Sequence, residues 1–135
     1  MERERETMLQ TIRAHGVKNP RVLEAMGRVP RHLFIPADYR RAGEAYGDHP
    51  CPIGCGQTIS QPFIVAYMTE KLDVRPGEKI LEVGTGSGYQ AAVLAEMGAE
   101  VYTMEVAPEL AEHAAAAFRS QGLTSIHARL GDGYR

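Results

Sequence analysis

The sequence predicts a doubly wound α/β fold, and three observations make that prediction. Residues 79–83, Lys-Ile-Leu-Glu-Val, are a short β-branched and apolar run of the kind that forms a buried strand. Gly84, Gly86 and Gly88 follow at alternate positions and lead into residues 91–97, strong helix formers with an apolar face. The strand-then-helix pattern then returns: 100–105 reads as a second strand, 108–118 as a helix and 125–130 as a third strand. Right-handed crossovers place strands two and three successively on one side of strand one. A Rossmann-like parallel sheet begins in this way.

Size and charge bound the rest. The chain has 135 residues and 14.8 kDa, enough for one domain with a true core. A formal net charge of −2 and a pI near 6.2 give no basic field for nucleic acid and no basic face for a membrane. No apolar run approaches the roughly 20 residues of a membrane span. Glu2-Arg3-Glu4-Arg5-Glu6 alternates charge and lacks the apolar centre of a secretory signal, so a cytoplasmic location is expected. Cys51 and Cys55 are then expected as free thiols. A metal site would need more ligands than these two and the nearby His49.

Before the sheet, residues 2–15 read as an amphipathic helix with Met8, Leu9 and Ile12 inward and Gly16 as its stop. A short helix is expected from Pro20 to Met26, with Gly27 at its end. Residues 29–36, bracketed by Pro30 and Pro36, read as an extended apolar segment, and 39–55 as a glycine- and proline-rich loop. Pro62 opens a helix that reaches Leu72, and Ser60 is placed to be its N-cap. The chain thus divides into an N-terminal helical and loop segment, 1–61, and the first half of a cofactor-binding sheet, 62–135, within one compact domain.

Ligands in such folds sit beyond the C-terminal ends of the strands. The glycine loop follows strand one, Glu105 ends strand two and Asp132 follows strand three. A carboxylate about twenty residues past the loop is placed to accept ribose hydroxyls, and an acid after strand three can reach an adenine amino group. Taken singly, Glu105 also reads as a strand-end acid and Asp132 as a turn residue between glycines. The loop spacing discriminates between cofactors. A dinucleotide fingerprint wants a third glycine at 89, where this chain has Tyr89. Glu82-x-Gly84-x-Gly86-x-Gly88 instead resembles motif I of S-adenosyl-L-methionine-dependent methyltransferases.

A wider resemblance extends from about residue 20 to the last residue. Val29-Pro30-Arg31-His32, Ala45-Tyr46-Gly47-Asp48, Pro52-Ile53-Gly54 and Gly56-Gln57-Thr58-Ile59-Ser60-Gln61-Pro62 are similar, in order, to the protein-L-isoaspartate O-methyltransferases. Leu81 to Ala92, Tyr102-Thr103 with Glu105, Pro108-Glu109-Leu110-Ala111 and Gly131-Asp132-Gly133 continue the match. The resemblance implies methyl transfer from S-adenosyl-L-methionine to the free α-carboxylate of isoaspartyl residues in damaged proteins and peptides, a repair reaction. It implies that Ser60 orients the acceptor, with Ile53, Gly54, Thr58 and Ile59 shaping its pocket. The cofactor set it implies is Glu82, Gly84, Thr85, Gly86, Ser87, Gly88, Glu105 and Asp132. It also implies further strands beyond strand three, so the expectation is a sheet truncated there, with strand one as a bare edge. Two other readings stand beside it: a truncated cofactor-binding remnant without activity, and a nicotinamide-dependent oxidoreductase.

Overall fold

The computed structural model of the chain describes residues 2–41 and 44–132. Gly133, the last residue of the expected Gly-Asp-Gly turn, lies outside the described residues.

Two helices begin the chain, α1 (Glu2–Ala14) and α2 (Pro20–Arg28). Helix α1 buries Met8, Leu9 and Ile12 as its apolar spacing requires. Helix α2 starts on Pro20 behind Asn19, whose Oδ1 accepts the Arg21 N–H at 2.9 Å. Gly27 does not stop α2. A side chain there would come within 3.3 Å of Leu9 Cδ1, so the glycine lets α1 approach α2, and Arg5 Nη1 donates to its carbonyl at 3.2 Å.

The next stretch is more ordered than its composition suggests. The segment 29–36, expected to be extended, instead forms a 3₁₀ turn at Arg31–Phe34, and a second turn follows at Ala37–Tyr39, with Phe34 and Ile35 buried. Pro30 and Pro36 hold φ at −80° and −54°, values that suit a tight turn as well as an extended chain. Where a loop was expected, β1 (Cys51–Gly54) pairs antiparallel with β2 (Gln57–Ile59). The connecting residues Cys55 and Gly56 both have positive φ, 55° and 70°, the sign that a two-residue primed hairpin turn needs.

Helix α3 (Pro62–Leu72) then leads to the sheet of β3 (Lys79–Val83), β4 (Glu100–Glu105) and β5 (Ile126–Leu130), with α4 (Tyr89–Glu96) and α5 (Pro108–Ser120) between them. The strands are parallel in the expected order β3-β4-β5. Both crossovers run the same way, so α4 and α5 share one face of the sheet. That face carries Val101 and Thr103, both buried, and its apolar core continues through Val93, Phe34, Met26 and Ile12. The opposite face is open among the described residues: Leu81 and Val83 are 67% and 64% exposed. Strand β3 is also the sheet edge, since its one ladder partner among the described strands is β4.

Candidate functional site

The glycine loop is held by three consecutive residues of the neighbouring strand. Met104 O accepts the N–H groups of Gly84 and Thr85 at 2.8 and 3.0 Å. Thr103 Oγ1 lies 2.6 Å from Thr85 Oγ1, and Glu105 Oε1 accepts the Gly86 N–H at 2.8 Å. A loop that must bare its backbone to a ligand is thus fixed from one side, leaving its other side free.

The three glycines differ in what they require. All have positive φ, at 92°, 55° and 91° for Gly84, Gly86 and Gly88. A Cβ on Gly84 or Gly86 would meet nothing within 4 Å, so these two line open space. A Cβ on Gly88 would meet Phe118 Cε1 at 2.8 Å and Ala114 Cβ at 3.2 Å. Gly88 is the N-cap of α4 and allows that helix to pack on α5, while Gly84 and Gly86 face the cleft.

That cleft has a volume of about 370 Å³. It brings Thr58, Ile59 and Ser60 together with Glu82, Gly84, Thr85, Gly86 and Ser87, residues drawn from both halves of the chain. Its remaining wall is largely apolar, with Ile64 and Met68 of α3 and Leu94 of α4. Five of the expected site residues are not on the lining. Ile53 is buried in the core at 2% exposure, and a Cβ added at Gly54 would meet the Tyr39 ring at 3.5 Å. Gly88 is at the helix junction. Glu105 is one hydrogen bond behind the lining, through Gly86. Asp132 is exposed after β5, where Gly131 N donates to Glu105 O at 2.8 Å.

Ser60 does not cap α3. The N-cap is Gln61, and Asp48 serves the helix end instead. Its Oδ1 accepts the Phe63 N–H at 3.1 Å and its Oδ2 accepts from Gln61 Nε2 at 2.9 Å. The helix start is thereby stabilised by a carboxylate from thirteen residues upstream, and the Ser60 side chain is left exposed at the cleft. Sequence reasoning gave no role to Asp48 or Thr103, nor to the apolar wall residues Ile64, Met68 and Leu94. Asp48 carries no local capping signal because its partners are distant in sequence, and a threonine inside a strand reads only as a strand former.

The electrostatics of the cleft are acidic. Among the described residues its lining has a carboxyl group, Glu82, and no Lys, Arg or His. Burial pushes Glu82 up to about 7; the Thr103 hydrogen bond opposes that shift and the Glu105 charge adds to it. Glu105 is buried, and its Oε2 accepts the Val106 and Ala107 N–H groups at 3.0 Å each. With Gly86 on Oε1, three of the roughly four acceptor positions of a carboxylate are taken. One is left for a ligand hydroxyl, and a second opens only if Gly86 lets go. Such a cleft suits a cation better than the pyrophosphate of a dinucleotide.

The family model for Protein-L-isoaspartate(D-aspartate) O-methyltransferase (PCMT) matches residues 3–135. The chain belongs to that family. The protein-L-isoaspartate O-methyltransferase of Gloeobacter violaceus is 58% identical over 126 residues, which are 93% of this chain and 60% of the relative. That of Synechococcus sp. (strain JA-2-3B'a(2-13)) is 52% identical over 134 residues, 99% of this chain and 54% of the relative. A solved protein-L-isoaspartate O-methyltransferase superposes with a TM-score of 0.85 at 26% identity, covering 96% of this chain and 43% of that one. The chain therefore spans between half and two thirds of the length of the curated relatives it matches. The fold is that of the S-adenosyl-L-methionine-dependent methyltransferases. No helix among the described residues is long and apolar enough to cross a membrane.

Proposed function

We propose that this chain binds S-adenosyl-L-methionine and orients the α-carboxylate of an L-isoaspartyl residue, in a damaged protein or peptide, for methylation. The observation that carries this reading is the shared cleft: an exposed serine hydroxyl and an open glycine loop line the same 370 Å³ space. Residues 1–61 would supply the acceptor side and residues 62–135 the cofactor side.

The residues present suit that donor. Gly84 and Gly86 leave room for close approach to backbone, Glu105 keeps an acceptor position beside Gly86, and the acidic lining favours a sulfonium. When bound, S-adenosyl-L-methionine supplies a methyl group already activated on positively charged sulfur. Little acid–base work then falls to the protein. The acceptor carboxylate is ionised at neutral pH and needs no general base. The task of this chain is to align an oxygen with the methyl and to strip water from it. Ser60 is fitted to donate its hydroxyl proton to one carboxylate oxygen and so aim the other. Thr58 and Ile59 would bound the space around the acceptor. Ile53 and Gly54 act more remotely, by building the hairpin that carries those residues.

A cytoplasmic place of work fits two unpaired thiols, Cys51 and Cys55, which a reducing compartment preserves. One observation favours a narrower variant of the proposal, binding without transfer: Leu81 and Val83, which line the cleft along the β3 edge, are exposed, and a site that must strip water from the acceptor needs that wall covered. Calorimetry with S-adenosylhomocysteine and with a nicotinamide dinucleotide tests the cofactor, and methylation of an isoaspartyl peptide tests the reaction. Binding of S-adenosylhomocysteine alone, with turnover, is expected from the full proposal. Binding without turnover selects the narrower variant. Preference for the dinucleotide would refute both.

A further inference from the structure

Glu82 and Thr103 are register partners on β3 and β4, with their side chains on the helix-covered face. Thr103 Oγ1 donates to Glu82 Oε1 at 2.6 Å and lies 2.6 Å from Thr85 Oγ1. Thr103 is 1% exposed and Thr85 6%, so water does not interrupt this line. A hydroxyl has one proton to give. While Thr103 spends its proton on an ionised Glu82, the contact with Thr85 can be a hydrogen bond only if Thr85 donates to Thr103. Thr85 then turns lone pairs, not a proton, toward the cleft it lines.

A proton added to Glu82 reverses the line. The carboxyl donates to Thr103, Thr103 donates to Thr85, and the Thr85 proton is freed to face outward. One proton is taken from solvent and no bond between heavy atoms changes. We propose that Thr103 is a positioning residue that couples the proton on Glu82 to the hydrogen-bonding face Thr85 offers a ligand, making occupancy of the glycine loop proton-linked. The ligand group favoured by the ionised state is a donor, such as the ammonium of an amino-acid moiety; an acceptor is favoured by the protonated state. This rests on the reading that the cleft takes S-adenosyl-L-methionine, which carries such an ammonium.

The surroundings permit the switch near neutrality. From β4 the Glu105 carboxylate faces Glu82 and resists its ionisation. From α4 the nearest titratable group on the lining is Tyr89, which burial raises to about 12 and which stays neutral. The segments of β2 and α3 that line the cleft bring no charged side chain. Burial holds Glu82 itself near 7, so both states of the line are accessible around physiological pH.

The test uses the full chain with S-adenosylhomocysteine as probe, titrated between pH 6 and pH 8 in buffers of different ionisation enthalpy. If only the ionised form binds, affinity should rise up to roughly tenfold across that range, with net proton release on binding. Thr103→Val should flatten the pH dependence and Thr103→Ser should restore it. A Val variant that keeps the wild-type pH slope would overturn the proposal. Carboxyl-labelled glutamate NMR, with Glu82 assigned through Glu82→Gln, reads the line without any ligand. Loss of the Thr103 bond should move the Glu82 midpoint upward. If S-adenosylhomocysteine fails to bind at every pH, the cofactor reading is lost, and the NMR midpoint alone decides the coupling: unmoved by Thr103→Val, it refutes it.

Discussion

Gly88→Ala separates the structural glycine of the loop from those left open for a ligand. Two costs add at this position. An alanine held at φ 91° sits in the left-handed region, at about 1–2 kcal/mol. Its Cβ would lie 2.8 Å from Phe118 Cε1 and 3.2 Å from Ala114 Cβ, an overpacking that typically costs about 1–3 kcal/mol. Phe118 is 5% exposed in the core and has little room to yield. The sum, about 2–5 kcal/mol, is a large part of the roughly 5–15 kcal/mol that holds a domain folded. At roughly 4 °C per kcal/mol for this size, the melting temperature should fall by about 8–20 °C. Gly86→Ala carries the backbone cost alone, since its Cβ meets nothing within 4 Å, and should lose about 4–8 °C. Its larger effect should be on S-adenosylhomocysteine affinity, because the methyl fills space the ligand needs. Thermal unfolding followed by circular dichroism reads the first effect and calorimetry the second. A cycle with Phe118→Leu isolates the clash: in that background Gly88→Ala should cost at least about 1 kcal/mol less than in the wild type. If the cost is the same in both backgrounds, the packing argument is wrong and Gly88 is strained only by its backbone.

Three more outcomes are expected. Ser60→Ala should leave stability within about 0.5 kcal/mol of wild type, because Gln61 and Asp48 rather than Ser60 form the helix start, yet lower methyl transfer roughly ten- to hundredfold. A stability loss matching the activity loss would restore a capping role. Asp48→Ala should cost about 1–2 kcal/mol in denaturant unfolding, since it frees the Phe63 N–H and removes a carboxylate from a helix N-terminus; Asp48→Asn should lose less. Glu82 has its folded-state value raised to about 7 from the ordinary 4.5, so its burial lowers stability as pH climbs between those values. Below 4.5 both folded and unfolded states are protonated and no penalty exists; above 7 the full penalty, about 3 kcal/mol, applies. Glu82→Gln should therefore stabilise at pH 8 and change little at pH 4, and equal effects at the two values would refute the assignment.

Much of this architecture was legible along the chain because the signals are local. The β3–α4–β4–α5–β5 series follows from apolar runs of strand and helix length separated by glycine and proline, and the parallel order from crossover handedness. The glycine loop, Glu105 at the tip of β4 and the clustering of Thr58 to Ser60 just before α3 were equally plain. What the sequence could not show is set by partners far apart in number. The hairpin β1–β2 turns at Cys55-Gly56, a pair without the usual asparagine or aspartate signature, and Pro52 and Gly54 disguise its first strand. Asp48 relieves Ser60 of capping only because the chain folds back across thirteen residues. Gly84, Gly86 and Gly88 look alike in sequence, and only the position of Phe118, thirty residues beyond Gly88, makes one of them a packing residue. Thr103 becomes a link between Glu82 and Thr85 through strand pairing, a relation between residues that no local periodicity encodes. Local propensity and pattern thus determined the elements and their order; tertiary packing decided which of the chemically suitable residues face the cleft and which hold it in shape.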